Sequence, residues 1–114
     1  MRLPRERRIR ASADFSRLRQ NGSRLDCGPF LLNLGQGRSP ETKARFAVVV
    51  AKKSIPLAVN RNRAKRLARE LFRHDANLLP DGWECVLIAR PSILRKSFAS
   101  LVKIYTTAIK STVK

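Results

Sequence analysis

The sequence has few acidic residues, with eight Asp and Glu against 25 Lys and Arg in 114 residues. The formal net charge is therefore +17, and the sequence pI is near 11.6. A small domain with this much charge of one sign repels itself, and a polyanionic partner relieves that repulsion. The composition therefore indicates a partner such as nucleic acid, an anionic membrane surface or an acidic protein.

Long apolar runs and clustered cysteines are also missing. The longest apolar stretches, at residues 46–51 and 85–89, are far below the roughly 20 residues of a transmembrane helix. The opening segment MRLPRERRIR has no apolar stretch after it, so we expect no secretory signal. Cys27 and Cys85 stand alone without metal-ligand spacing, which favours two reduced thiols in a cytoplasmic protein over a disulfide or a metal site.

Side chains suited to catalysis are scarce. The single histidine, His74, falls at the end of a predicted helix, where solvent exposure or contact with the helix dipole is favoured over catalysis. The eight acids are scattered and form no carboxylate cluster of the kind that a protein two-metal nuclease needs. No Gly-rich phosphate loop follows a predicted strand. We therefore expect no catalytic centre, bound metal or cofactor in the protein itself.

Hydrophobic patterning predicts a single domain over residues 1–114, with helices packed on a mixed sheet and a basic arm at residues 1–10. A short helix is predicted by ASADFSRLRQNG, with Gly22 as a left-handed stop. The next segment, RLDCGPFLLNLG, is predicted to be extended and broken by Gly28-Pro29. The β-branched run RFAVVVA predicts a central strand buried on both faces.

A long helix is predicted at roughly residues 57–74. After a DG turn comes a second buried strand, WECVLIAR, and then Pro91 and Ser92 open a C-terminal helix. The order helix, strands, helix, strand, helix is that of an α+β domain. Strand, helix and strand over residues 45–90 make a βαβ unit with a parallel strand pair, and the general chirality rule favours a right-handed crossover.

The predicted long helix has one apolar side and one cationic side. At about 100° per residue, one arc contains the apolar residues Ala64, Leu67, Ala68, Leu71 and Phe72. The opposite arc contains the polar and basic residues Asn62, Arg63, Lys65, Arg66, Arg69 and Arg73. Glu70 is the only acid within that arc, and Arg61 lies near its edge at the helix start. We therefore expect the apolar side to pack on the sheet and the cationic side to face solvent.

The cationic side differs from an ordinary solvated helix face. Solvated helices usually mix Glu with Lys at i, i+4, whereas this side is almost entirely of one sign. Arginine outnumbers lysine on it, and the planar guanidinium suits bidentate phosphate contact and stacking on bases. Lys52 and Lys53 extend the same surface. The pattern favours a nucleic-acid partner and disfavours a membrane surface, because the apolar side of the helix is needed for the core.

These residues also resemble a known family. The segment RNRAKRLARELFR, preceded by RFAVVVAKK and followed by ECVLIARP, is similar to the bacterial ribonuclease P protein subunit, in which an R-N-R-x-K-R-x-x-R-E helix is characteristic. The similarity extends to RIRASADFSRLRQNGSR and GPFLLNL, and so runs from about Arg8 to the end of the C-terminal helix. The resemblance implies a left-handed βαβ crossover instead of the right-handed one.

The resemblance implies a division of labour between protein and RNA. In that family a large RNA subunit, with bound Mg²⁺, hydrolyses the phosphodiester bond that joins the 5′ leader to precursor transfer RNA. The protein binds this catalytic RNA and the leader, with no membrane or small-molecule partner. The implied contacts with the catalytic RNA are Lys52, Lys53, Arg61, Asn62, Arg63, Lys65, Arg66 and Arg69. Arg8 and Arg10 of the N-terminal basic arm are further candidate binding residues.

The resemblance also implies a cleft between the first helix and the sheet, where the leader runs. Phe15, Arg19 and Asn33 fall at positions of this cleft. An aromatic residue is common in the family where this chain has Arg19 and Asn33, so the cleft offers fewer faces for base stacking. Arg19 offers stacking or phosphate contact in their place. From the residues alone, Phe15 is better explained as a core aromatic under the first helix than as a residue of a cleft.

Two other classes of protein share part of this pattern. A ribosomal-type protein or an RNA chaperone has a similar charge and a similar βαβ core, and the ordered RNR helix with the Asp-Phe helix distinguishes the ribonuclease P family from it. A protein-only nuclease is disfavoured by the scattered carboxylates.

Overall fold

A four-stranded mixed sheet organises the computed structural model, which describes residues 9, 12–37 and 43–113. Its strands are β1 (Ser23–Asp26), β2 (Phe30–Gln36), β3 (Arg45–Val49) and β4 (Trp83–Ala89), in the order β1-β2-β4-β3. The helices are α1 (Ser12–Asn21), α2 (Ala58–His74) and α3 (Phe98–Thr112), and a 3-10 helix (Pro91–Arg95) precedes α3. The predicted α+β class and the predicted order of helices and strands are confirmed.

Strand pairing includes the predicted βαβ unit, and the predicted break at Gly28-Pro29 separates two paired strands. β1 and β2 form an antiparallel hairpin, in which Gly28 has a φ of 92°. β2 pairs antiparallel with β4, and β3 pairs parallel with β4. Since α2 connects the two parallel strands, residues 45–89 form the βαβ unit that the sequence predicts, and the handedness of its crossover stays a prediction.

The main core lies on one face of the sheet, beneath α2 and α3. Alternate residues of the strands point into it, as the two-residue period of a β-strand requires. Its fully buried side chains include Phe30, Leu32, Leu34, Phe46, Leu71, Phe72, Leu87, Ile93, Leu101 and Ile109. Burial of these aliphatic and aromatic side chains is the largest favourable contribution to folding.

A smaller cluster lies on the other face of the sheet, beneath α1. Leu18 of α1 and Val86 of β4 are buried there with Ile9, and Phe15 is partly buried against them. The backbone N–H of Ile9 donates to the carbonyl of Phe46 at 3.2 Å, so the chain before α1 contacts β3. The sheet is therefore covered on both faces, by two helices on one side and one on the other.

β3 is an edge strand, and its predicted central position is wrong. Its burial is mixed, and Val49 is 41% exposed. The central position is taken by β4, which lies between β2 and β3 and is almost entirely buried. The β-branched run did not reveal that β3 lies at the edge of the sheet. Because α2 covers one face of β3, apolar residues are needed there whether the strand is central or at the edge.

The C-terminal helix is interrupted where the sequence predicted one continuous element. Pro91 opens the 3-10 helix, and Lys96 then returns to an extended conformation with φ −100° and ψ 147°. α3 begins only after Ser97, whose side chain accepts a hydrogen bond from the N–H of Ser100 at 3.2 Å. The cap at Ser97 thus determines where α3 starts.

Gly22 ends α1 for a different reason from the one predicted. Among the described residues, positive φ occurs at Gly28 and Gly82, not at Gly22. A Cβ at Gly22 would lie 2.6 Å from the Leu18 carbonyl oxygen and 2.9 Å from that of Leu34. Glycine is needed there because the end of α1 packs against β2 with no room for a side chain.

Both thiols are free. Cys85 is buried in the main core, and Cys27 is partly buried after β1. None of the helices in the described part of the chain is long and apolar enough to cross a membrane.

Candidate nucleic-acid interface

The rotation of α2 is set by its apolar side. Ala64, Ala68, Leu71 and Phe72 are buried, and the ring of Phe72 stacks on that of Phe46 with centroids 4.9 Å apart. Two small alanines allow the helix to approach the sheet closely, and the stacked rings fix its far end. The side opposite these residues must therefore face solvent, as the sequence predicted.

That opposite side presents the basic residues. Asn62, Arg63, Arg66 and Arg73 are exposed, and Lys65 and Arg69 are half-buried by their neighbours. A depression of about 380 Å³ runs along it, lined by Asn62, Lys65, Arg66, Arg69, Glu70 and Arg73. We call the residues Asn62, Arg63, Lys65, Arg66 and Arg69, with Lys52 and Lys53 of the preceding turn, the basic face.

The basic face keeps its charge available for a partner. Among residues 9, 12–37 and 43–113, ion pairs join Arg17 and Arg45 to Glu84, and Arg90 to Asp26. No carboxylate in this part of the chain pairs with a cation of the basic face. These cations can therefore neutralise phosphates of a nucleic acid without first breaking an ion pair within the fold.

Two arginines of α2 contact backbone carbonyls nearby. Arg61 donates from Nη1 to the carbonyl oxygens of Ile55 at 3.0 Å and Pro56 at 2.6 Å. It is thus turned back toward the loop before the helix. Arg63 donates from Nη2 to the Leu94 carbonyl oxygen at 3.5 Å, at the limit of a hydrogen bond. Arg61 therefore braces the start of α2, while Arg63 stays exposed.

The start of α2 adds to the positive potential. Lys52 and Lys53 are exposed in the turn between β3 and α2. The N-cap residue Leu57 provides no side-chain hydrogen bond, and the first turn of α2 has no acidic residue. The partial positive charge of a helix N-terminus is therefore left uncompensated beside the two lysines.

The residues assigned to a cleft lie near α1, in different environments. Phe15 is partly buried against the cluster of Leu18 and Val86, and Arg19 is exposed with Nη2 3.4 Å from the Ser16 hydroxyl. Asn33 is only 4% exposed, and its Oδ1 has no hydrogen-bond partner. The structure thus brings Phe15 and Arg19 together on one side of α1 and places Asn33 inside, beneath the end of that helix. Arg8 and Arg10 lie outside the described residues.

Sequence reasoning missed the ion-pair cluster at Glu84. This carboxylate is 2% exposed, accepts from Arg17 of α1 through Oε1, and accepts from Arg45 of β3 through Oε2. The one signal in the sequence is a Glu at the second position of an otherwise apolar strand. The cluster lies on the α1 face of the sheet and connects that helix to β3 and β4.

The comparisons agree on one family. The family model described as Ribonuclease P matches residues 3–113. The ribonuclease P protein component of a Roseiflexus species is 30% identical over 109 residues, which cover 95% of this chain and 87% of that protein. The component of Pseudomonas paraeruginosa is 51% identical over 49 residues, but this match spans only 43% of the chain and 36% of the relative.

Solved structures show the same fold. The RNase P protein of Thermotoga maritima superposes with a TM-score of 0.76 at 26% identity, covering 91% of this chain and 96% of that one. The RNase P protein of Staphylococcus aureus, at 23% identity and a TM-score of 0.76, covers 95% of this chain and shares the fold.

Proposed function

The chain belongs to the ribonuclease P protein family, and we propose that it is the protein subunit of a ribonucleoprotein that removes the 5′ leader from precursor transfer RNA. A ribosomal-type or chaperone role is not favoured, because the family match runs over almost the whole sequence. The proposed partners are the catalytic RNA and the leader of precursor transfer RNA, in the cytoplasm.

In this proposal the RNA performs the hydrolysis, with Mg²⁺ held through the RNA. The protein contributes binding energy and position, not a reacting group. Within the described residues, no three His, Cys, Asp or Glu side chains are grouped so that they could hold a metal ion.

The observation that carries the proposal is the cationic side of α2. Arg63, Arg66 and Arg69 lie in line on one side of a rigid helix, and no carboxylate in the described part of the chain neutralises them. Such a side fits along a phosphate backbone, where each neutralised phosphate adds roughly 0.7–0.9 to the slope of log affinity against log salt. We propose that this side binds the catalytic RNA.

Phe15 and Arg19 support a second contact, with the leader. The partly buried ring of Phe15 offers an edge or face at the α1 side of the sheet, and Arg19 adds a guanidinium one helical turn later. Stacking of a base on an aromatic side chain is worth roughly 1–3 kcal/mol. Asn33, being buried, contributes to this contact only through the packing beneath α1.

Reconstitution tests the proposed activity. The purified chain alone should not cut precursor transfer RNA, and with the cognate catalytic RNA at low Mg²⁺ it should restore cleavage at the mature 5′ end. Cleavage by the protein after nuclease treatment would contradict the assignment of the chemistry to RNA. Failure to stimulate the catalytic RNA would contradict the assignment of the protein as its subunit.

A salt titration tests the basic face. The double variant Arg63→Ala/Arg66→Ala should bind the catalytic RNA more weakly, and its slope of log affinity against log salt should fall by about 1.4–1.8 for two phosphate contacts. The matched control is Lys103→Ala/Lys110→Ala, which removes two exposed cations from α3. Equal slopes for the parent and the α2 variant would show that the α2 arginines are only solvated.

A further inference from the structure

Two large aliphatic side chains lie exposed at the start of α2. Leu57 is 63% exposed and Val59 is 71% exposed, the highest values among the exposed large hydrophobic residues in the described part of the chain. Exposed aliphatic residues are common singly, and two within three residues of a sequence are less so. Their position decides whether they have a role.

The position places them within a cationic surface. At about 100° per residue, Val59 projects along the same line of α2 as Asn62, Arg63 and Arg66. Leu57 is the N-cap residue, a few residues after the exposed Lys52 and Lys53. The apolar pair therefore occupies the end of the basic face, with cations before it and after it.

The needs of the helix itself do not explain the pair. An N-cap position favours Ser, Thr, Asn or Asp, and Leu57 makes no cap hydrogen bond. A hydrophobic staple joins the residue before the N-cap to the fourth helical residue, which here are Pro56 and Arg61, so neither aliphatic residue takes part in one. A polar residue at either position would suit the solvent-exposed start of α2 better in the protein without a partner.

We infer that Leu57 and Val59 make an apolar contact with an unpaired nucleotide of the RNA that the basic face binds. The inference rests on the proposed function. Nucleotides combine a charged backbone with an apolar base face, so an aliphatic pair flanked by lysines and arginines matches both parts. In a continuous duplex the base faces are stacked on each other, so a loop, bulge or strand end is the feature that fits.

The contact has a thermodynamic mark that separates it from the basic face. Burial of apolar area releases no counter-ions, so its loss lowers affinity equally at every salt concentration. Loss of an arginine contact instead flattens the salt slope. The two parts of one surface can therefore be measured independently.

The test uses the full chain and the variant Leu57→Ser/Val59→Thr. Serine improves the N-cap and threonine nearly keeps the shape of valine, so the variant should melt at the temperature of the parent or above. Its affinity for the cognate catalytic RNA should fall about three- to tenfold, the scale expected for the loss of partly exposed aliphatic area. The salt slope should equal that of the parent. Affinity for a fully paired RNA duplex should be unchanged.

Each other outcome overturns the inference. Equal affinity of parent and variant for the catalytic RNA would contradict the apolar contact. If the affinity of the parent still depended steeply on salt, the proposed function would remain supported. An equal loss on the duplex would exclude an unpaired nucleotide as the partner. A parent that is a dimer and a variant that is a monomer in sedimentation would assign the pair to a second copy of the chain. A parent with no salt-dependent RNA binding would instead contradict the proposed function itself.

Discussion

Glu84 of β4 binds Arg17 of α1 across the face of the sheet that carries the smaller apolar cluster. The same carboxylate accepts from Arg45 of β3, so one buried acid connects a helix to two neighbouring strands. Phe15 and Arg19, which we assign to the leader contact, are on that helix. The position of the proposed leader site therefore depends on a largely buried ion-pair cluster.

The first prediction concerns this cluster. Glu84→Gln keeps the size of the side chain but removes the buried negative charge that both guanidinium groups bind, and should lower the free energy of unfolding by about 3 kcal/mol. Urea unfolding followed by circular dichroism measures it. The matched control, Glu70→Gln, removes an exposed acid of α2 and should change stability by less than about 0.5 kcal/mol. Equal changes in the free energy of unfolding for the two substitutions would show that the ion-pair cluster does not contribute to stability.

The second prediction concerns the end of α1. Gly22→Ala would place a Cβ against two backbone oxygens, 2.6 Å from that of Leu18 and 2.9 Å from that of Leu34, and should destabilise the fold by about 2–3 kcal/mol. Gly28→Ala is the control, because it meets open space and carries only the strain of a positive φ, which costs about 1–2 kcal/mol. Thermal melts of both variants give the comparison. A smaller loss for Gly22→Ala than for Gly28→Ala would contradict the packing explanation.

The orientation of α2 could be predicted from the sequence because the polarity of each residue decided whether it lies on the buried or the exposed side of the helix. Apolar and cationic residues alternate with the helical period, so burial of Ala68 and exposure of Arg66 follow from periodicity alone. The break between β1 and β2 was equally accessible, since Gly28 and Pro29 interrupt the predicted extended segment. Signals of this kind are local and need no knowledge of the rest of the fold.

The order of strands and the roles of polar residues were not accessible in this way. β3 lies at the edge only because β4, almost 40 residues later, inserts beside β2, and no local pattern encodes that choice. Glu84 and Arg17 are 67 residues apart in the chain. The burial of Asn33 likewise depends on α1 lying above it. Gly22 shows a further limit of sequence-based prediction. A glycine can be required for lack of space or for a positive φ, and the sequence does not distinguish the two reasons.

The third prediction concerns the thiols. Burial raises the pKa of Cys85 far above its usual value, and burial followed by the nearby charge of Asp26 raises that of Cys27. A raised pKa means less thiolate at a given pH, so both should react slowly with a disulfide reagent at pH 8, Cys27 faster than Cys85, with rates that rise with pH. The absorbance of the released thiolate measures this. Full reaction should occur at once in denaturant.

Cys27→Ser is the control for that assignment. It should remove the faster phase and leave the slow reaction of Cys85, which requires opening of the core. Two rapid thiols in the native protein would contradict the burial of both side chains.

The last prediction separates two roles of Phe15. If its ring stacks on a leader base, Phe15→Ala should reduce the preference of the holoenzyme for precursor over mature transfer RNA by about tenfold, within the 1–3 kcal/mol range of a single stacked base. Binding of both transfer RNAs is measured with the same preparation of catalytic RNA and protein. Leu18→Ala is the matched control, because Leu18 is buried in the same cluster and cannot reach a ligand. It should lower the melting temperature more than Phe15→Ala and leave the preference unchanged. If instead Phe15→Ala unfolds the chain or weakens the binding of both transfer RNAs equally, the ring only packs in the cluster beneath α1. Arg19 would then be the remaining candidate for the leader contact.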